Sequence, residues 1–361
     1  MAVSYGLTNP AAFLKQYTPP EVYYYVVRQN YNSTSNYLYC KTTSDISKKS
    51  NWHSITLPNG VTSTSLTRQC IGKDKIIIYN GDVSTSNHIA YYLSNVRNGW
   101  QTLTLPTLST GGTCKIAYSP ELDLYMFGAG VGRWKSSNGI NWTKVNTSDG
   151  KNMTWCGDRF ICGGRAYSLN GDNWSNYPSS SYTPTDHILG AVKVNNVWKT
   201  YGIKHNTSSP YLGYLVSVTN TGSSGFAYDK SASVPELGPY LTIKKLEINP
   251  TNLYLASYNT NSSYNTPRRY DLLDKSQTNW SSFHSGYSYE YCLSDGDKLL
   301  QIQNASSSTV CIKVFNSSFG VTTYNSPFPV SLSTYSGYYS STINDNYAFF
   351  KVAKSCVNFE A

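Results

Sequence analysis

Ser136-Ser137-Asn138-Gly139-Ile140-Asn141-Trp142 and Ser168-Leu169-Asn170-Gly171-Asp172-Asn173-Trp174 share the pattern S-x-N-G-x-N-W. Each is a small polar turn that runs into a tryptophan. Asn and Gly both tolerate positive φ, so Asn138-Gly139 and Asn170-Gly171 suit a tight hairpin. Looser copies end at Trp52, Trp100 and Trp280, preceded by Asn51, Asn98-Gly99 and Asn279. Two more carry Phe in the Trp place: Phe226 after Gly222-Ser223-Ser224-Gly225, and Phe319 after Asn316-Ser317-Ser318. The gaps between the seven anchors are 48, 42, 32, 52, 54 and 39 residues. Their average of about 44 is the length of one four-stranded propeller blade.

Short runs rich in Tyr, Ile, Val and Thr, separated by Gly, Asn, Ser and Asp, are the signature of strands and turns. In the third copy they predict strands over 113–119, 122–128, 132–136 and 141–147. The second unit ends in strands over 75–79, 88–93 and 100–105, and the sixth in strands over 252–258, 269–273 and 280–283. Each anchor is expected to start the outermost strand, with its ring folded back to seal neighbouring blades. No stretch holds a 3.6-residue apolar period, and none is long enough to cross a bilayer as a helix.

The expectation is therefore an all-β chain forming a single β-propeller, with seven blades preferred and eight as the runner-up. Residues 1–21 form an N-terminal extension and 22–361 the propeller. The first unit lacks an inner strand before 22–27, and the C-terminus supplies spare strands at 338–343 and 347–352. Ring closure by those C-terminal strands would remove an exposed sheet edge. The extension ends in Pro19-Pro20, and its apolar patch, with Phe13 and Leu14, is a candidate docking segment for a partner chain.

Only 14% of residues are charged, whereas Tyr alone numbers 33. Such a surface is polar through hydroxyls and amides, and Tyr offers amphipathic contact area at low entropic cost. The net charge of +9 is scattered in doublets such as Lys48-Lys49, Lys244-Lys245 and Arg268-Arg269. A nucleic-acid partner calls for clustered Lys/Arg, so none is expected. Eight cysteines show neither C-x-x-C nor Cys/His metal spacing. Cys70, Cys114, Cys156 and Cys292 fall on the innermost predicted strands, where a small buried thiol packs well. No cofactor is expected.

The N-terminus shows no charged segment leading into a long apolar run, so no signal peptide is read. Sequons at Asn141, Asn173 and Asn279 lie on the structural hairpins, where glycans would obstruct packing. Synthesis in a cytosol without such glycosylation follows.

The S-x-N-G-x-N-W copies resemble the Asp-box hairpins of sialidase-like β-propellers. The Tyr/Ser/Asn/Thr-rich composition is similar to structural proteins of tailed bacteriophages. The first resemblance implies a propeller and, for an enzyme, three Arg clamping a carboxylate, a Tyr/Glu nucleophile and an Asp acid/base. An early Arg-Ile-Pro-like motif is missing, only eight Arg are present, and Glu290 between Tyr289 and Tyr291 is the least ordinary Glu. A glycosidase of any type needs two carboxylates about 5 to 9.5 Å apart. Asp295 and Asp297 flank Gly296 in a turn, and Ser148-Asp149-Gly150 reads the same way. The five His lack a nucleophile motif, and no P-loop or dinucleotide fingerprint occurs.

The preferred reading is a non-enzymatic virion structural protein, tail-associated, made in the host cytoplasm. It binds other virion proteins, and two versions stay open: a receptor-binding one that also contacts a host-surface glycan or protein, and a scaffold that only packs against other virion proteins. A sialidase-like glycosidase acting on surface polysaccharide is the alternative. Loops at 178–187 and 257–267, rich in Ser, Tyr, Asn and Pro, are where a rigid scaffold would carry function.

Overall fold

The computed structural model describes residues 21–31, 34–58, 68–83, 89–108, 112–162, 166–176, 187–194, 197–205, 213–221, 225–228, 241–248, 252–259, 268–271, 277–279, 291–295, 298–306, 309–316, 320–329 and 347–360. Among these residues the structure is all-β, with one 3₁₀ turn at Lys49–Asn51. No helix among them is long and apolar enough to cross a membrane. Among the described residues seven four-stranded antiparallel sheets follow one another, with a two-stranded pair between Asp82–Val83 and Gly112–Thr113. This is a propeller-like repeat fold.

The third sheet runs Lys115–Ser119, Leu124–Ala129, Gly132–Ser136 and Thr143–Asn146, a meander matching the four expected strands. The fourth runs Thr154–Trp155, Phe160–Cys162, Ala166–Ser168 and Ser175–Asn176. The second comprises Arg68–Ile71, Ile76–Tyr79, Ala90–Leu93 and Gln101–Thr102. In the first sheet Tyr23–Tyr31 lies between Thr34–Lys41 and the C-terminal Tyr347–Ala353, with His53–Thr56 at the edge. The register sets Val26 opposite Phe350 and Tyr24 opposite Val352. The other predicted C-terminal strand, 338–343, lies outside the described residues.

The leading strand of each sheet touches the leading strand of the next, in the order Arg68–Ile71, Lys115–Ser119, Thr154–Trp155, His187–Val194, Leu241–Ile248, Tyr291–Asp295 and Tyr347–Ala353. Behind them the second strands of the second and third sheets are buried on both faces. Ile76–Tyr79 is buried at every position and Leu124–Ala129 at all but the first. A strand covered on both sides reads as a continuous apolar run rather than an alternation. The outer strands Gln101–Thr102 and Ser175–Asn176 are exposed throughout.

Alternation decides which neighbour each side chain meets. Tyr24 and Val26 pack with Ile76, Ile78 and Trp100 of the second sheet, while Tyr25 and Val27 pack with Leu300, Ile302 and Ile312 of the seventh. Ile77 and Tyr79 face the third sheet, meeting Tyr125 and Phe127. Met126, between those two aromatics in sequence, faces the fourth sheet with Phe160 and Cys162.

Cys70 lies in a leading strand, Cys114 directly precedes one and Cys156 directly follows one; all three are buried and outside any disulfide. Burial pushes the Cys70 and Cys156 thiols up to about 12. Cys292 occupies the leading strand Tyr291–Asp295. Cys40, Cys162, Cys311 and Cys356 are buried and outside any disulfide as well.

Trp52 and Trp100 are 3% and 7% exposed, whereas Trp142 and Trp174 are half-buried. Replacing Trp52 or Trp100 by Ala is expected to cost about 3–5 kcal/mol, as for a buried large aromatic. Trp142→Ala and Trp174→Ala should each cost less, and equilibrium denaturation of the four variants reads the ordering. In native protein Cys70, Cys114 and Cys156 should resist a thiol reagent until unfolding; prompt labelling would contradict their burial.

Candidate functional site

The two S-x-N-G-x-N-W hairpins are built alike. In the first, Asn138 Oδ1 accepts the N–H groups of Ile140 and Asn141, both at 2.9 Å, and the Ser136 hydroxyl at 3.0 Å. In the second, Asn170 Oδ1 accepts Asp172 and Asn173 N–H at 3.0 and 2.9 Å, and the Ser168 hydroxyl at 3.2 Å. An Asn side chain thus satisfies the turn amides that no ladder reaches. Gly139 and Gly171 take φ of +68° and +81°, where a side chain is strained. A Cβ at position 171 would also lie 2.6 Å from Leu124 Cδ2 of the preceding sheet.

The tryptophans stand directly ahead of the outer strands and pack toward the preceding sheet. Trp52 meets Phe328, near the end of the seventh sheet, edge-on at 4.9 Å. Trp100 meets Tyr37 of the first sheet at 5.0 Å. Trp142 packs among residues of the second and third sheets, and Trp174 among those of the third and fourth. The indole N–H of Trp52 donates to Ile46 O at 2.9 Å and that of Trp174 to Gly171 O at 3.0 Å. The fifth anchor, Phe226, lies inside the outer strand Gly225–Tyr228. In the sixth sheet the outer strand is Gln277–Asn279, paired with Arg268–Tyr270. It begins ahead of Trp280 rather than at it. Trp280 and Phe319 lie outside the described residues, as do Phe13, Leu14, Glu290 and Asp297.

Sequence reading passed over Trp134, which is buried in the third strand of its sheet, 5.3 Å from Phe127. It also passed over Arg133, whose adjacency to Trp134 and to a turn glycine gave no catalytic pattern. Its guanidinium is buried, yet it lines an open groove of about 620 Å³ between the third and fourth sheets. Arg133 Nε and Nη2 donate to the Asp149 carbonyl at 3.1 and 2.6 Å, and the guanidinium lies 4.3 Å from the centre of the Trp174 ring. Asn146, Ser148, Asp149, Asp172, Asn173 and Asn176 complete most of the lining. Asp172 is paired with Lys135. The Ser148-Asp149-Gly150 turn, expected to be plain, is thus one wall of this groove.

Asp295 stands at the end of a leading strand in the seventh sheet. It accepts a hydrogen bond from the Tyr25 hydroxyl and pairs with Lys351 Nζ at 2.7 Å. Tyr25 and Lys351 belong to the first sheet, so the carboxylate ties the seventh sheet to it. Burial alone would raise the Asp295 carboxyl; Lys351 and Tyr25 outweigh it and hold the group below the usual carboxylate range. Glu360 makes a similar tie, accepting from Lys354, Tyr24 and Lys41, which lower it to about 2. Among the described residues no group of three or more His, Cys, Asp or Glu is placed to hold a metal ion.

No protein-family model matches the chain, and no curated protein matches it in sequence. Among solved structures, a protein from Lactobacillus plantarum superposes with a TM-score of 0.55 at 10% identity, covering 86% of this chain and 97% of that one. At that identity the likeness concerns the fold alone. TolB from Acinetobacter baumannii shares 8% identity over 91% of this chain and 66% of its own, with a TM-score of 0.48. Apo AztD from Citrobacter koseri shares 9% over 92% and 98%, also with a TM-score of 0.48, a level that carries no inference here.

A carboxylate held below its unfolded pKa stabilises the fold above that pKa, and the contribution fades as pH falls through the folded value. Asp295→Asn should therefore lower stability at pH 7 by about 1 kcal/mol, the scale of a partly solvated ion pair. It should also flatten the loss of stability below about pH 4, where free carboxyl groups titrate. Urea denaturation at several pH values checks both; equal stability of variant and parent at pH 7 would show the tie to be idle.

Proposed function

We propose that this chain is a non-enzymatic structural protein of a tailed-bacteriophage virion, associated with the tail. It binds other virion proteins, and its surface makes contact with the host cell. In this reading the seven sheets are the blades of one ring, and the leading strands surround its centre. The C-terminal strand Tyr347–Ala353 closes the ring as the innermost strand of the first blade, and the S-x-N-G-x-N-W turns are Asp-box-type hairpins. The pairing of Tyr347–Ala353 with Tyr23–Tyr31 supports closure, as does the core shared by the first and seventh sheets.

The observation that carries the functional reading is the groove between the third and fourth sheets, considered with the composition around it. Amides, a hydroxyl and Trp174 make up most of that groove's lining beside Arg133, Asp149 and Asp172, on a chain with only 14% charged residues and 33 Tyr. Such a surface recognises partners through hydrogen bonds and aromatic area rather than through electrostatic steering. A rigid stack of sheets carrying it suits attachment better than turnover. For the glycosidase alternative, Asp295 is engaged by Tyr25 and Lys351, which favours a structural role for it.

Two measurements on the full-length protein test this. Incubation with a panel of bacterial surface polysaccharides should give binding without new reducing ends, and antibody-labelled electron microscopy should place the protein on phage tails. Saccharide cleavage abolished by Glu290→Gln would make it an enzyme. Absence from particles would overturn the virion assignment.

A further inference from the structure

The groove between the third and fourth sheets has features that sealing two sheets together does not require. Its volume of about 620 Å³ falls within the range of small-ligand sites. Charged groups of both signs stand at it: Arg133 against Asp149 and Asp172 in the lining, with Asp172 paired to Lys135 beside the groove. A ligand of either net charge would meet repulsion as well as attraction there, which leaves a neutral, polar ligand as the best match.

The hydrogen-bonding groups point the same way. Asn173 and Asn176 are exposed, and their side-chain amides make no hydrogen bond within the described residues. Asn146 Oδ1 accepts the Ser148 N–H at 3.2 Å, leaving its NH₂ to donate. Each primary amide offers donors beside an acceptor, the complement of a hydroxyl that both donates and accepts. The walls are fixed in advance. Trp174 is tethered through Nε1 to Gly171 O, and Arg133 is held by two bonds to the Asp149 carbonyl while covering the indole. A rigid site loses little ordering entropy on binding.

We infer that this groove is a glycan-binding site that takes a neutral, hydroxyl-rich saccharide segment, with Asn173 and Asn176 making its principal hydrogen bonds. The inference rests on the host-surface reading above and deepens it by placing the contact on the rim of two particular sheets.

The test is direct titration of full-length protein with neutral and acidic bacterial surface polysaccharides. Three proteins are compared: the parent, the double variant Asn173→Ala/Asn176→Ala, and Asn325→Ala as a remote exposed-amide control in the seventh sheet. All three should unfold at the same temperature, because the substituted side chains are exposed. The double variant should bind a neutral polysaccharide at least tenfold more weakly than the parent. Asn325→Ala should bind within twofold of it, and raising the salt should change parent binding little. If the double variant binds as the parent does, the groove is not the site, although the host-surface reading stands. Preference for acidic polysaccharides with strong salt dependence would overturn the neutral-ligand assignment. If the parent binds no polysaccharide at all, both this inference and the host-surface contact fail. Intact glycan binding with lost incorporation into particles would assign the groove to a protein partner instead.

Discussion

Apolar side chains on alternate positions of a single strand reach opposite neighbours, so the sheets whose side chains are described bury their faces against one another. Tyr24 and Val26 go one way and Tyr25 and Val27 the other; Ile76 and Ile78 part from Ile77 and Tyr79 in the same manner. The first and second sheets each contribute to two cores. A fully buried side chain of this size contributes roughly 1.5–3 kcal/mol, but only when the neighbouring sheet is present to cover it. Stability in such a stack is a sum of nearest-neighbour terms, and an uncovered end sheet would expose a whole apolar face.

That constraint explains the hairpins. The chain must turn sharply at the rim of a sheet and return a large aromatic to the interface behind it. Asn138 and Asn170 satisfy the turn amides, Gly139 and Gly171 accept the positive φ, and the following tryptophan falls between two sheets. Trp52 and Trp100 do the same from looser turns, and they are the more deeply buried pair. The best-formed motifs therefore do not carry the most buried anchors. At the fourth sheet the half-buried ring of Trp174 also lines a groove, so one residue both seals an interface and shapes a surface.

The repeat was legible because its period and its turn chemistry are local. The third sheet follows its predicted strands to within two residues at most ends. The C-terminal strand pairs where the first unit lacked one, because a missing partner leaves an edge that the pattern itself exposes. The sixth outer strand begins at Gln277, ahead of the start expected at Trp280: in a worn copy the aromatic alone does not mark where the strand begins. The groove was not legible. Arg133 comes from a third strand, Asp149 from a connection and Asn176 from the next sheet, and nothing in their spacing announces a meeting. Asp295 read as a turn residue, and its ties to Tyr25 and Lys351 join positions at opposite ends of the chain.

The central claim is that the chain closes on itself, with Tyr347–Ala353 completing the sheet that begins at Tyr23 and with the seventh sheet covering the first. Native-state hydrogen exchange tests this most directly. If the account holds, the amides of Tyr23–Tyr31 and Tyr347–Ala353 exchange together, with protection comparable to that of Ile76–Tyr79 in the second sheet. If the amides of Tyr347–Ala353 exchange at nearly unprotected rates while Ile76–Tyr79 and Leu124–Ala129 stay protected, the ring is open and the account is wrong.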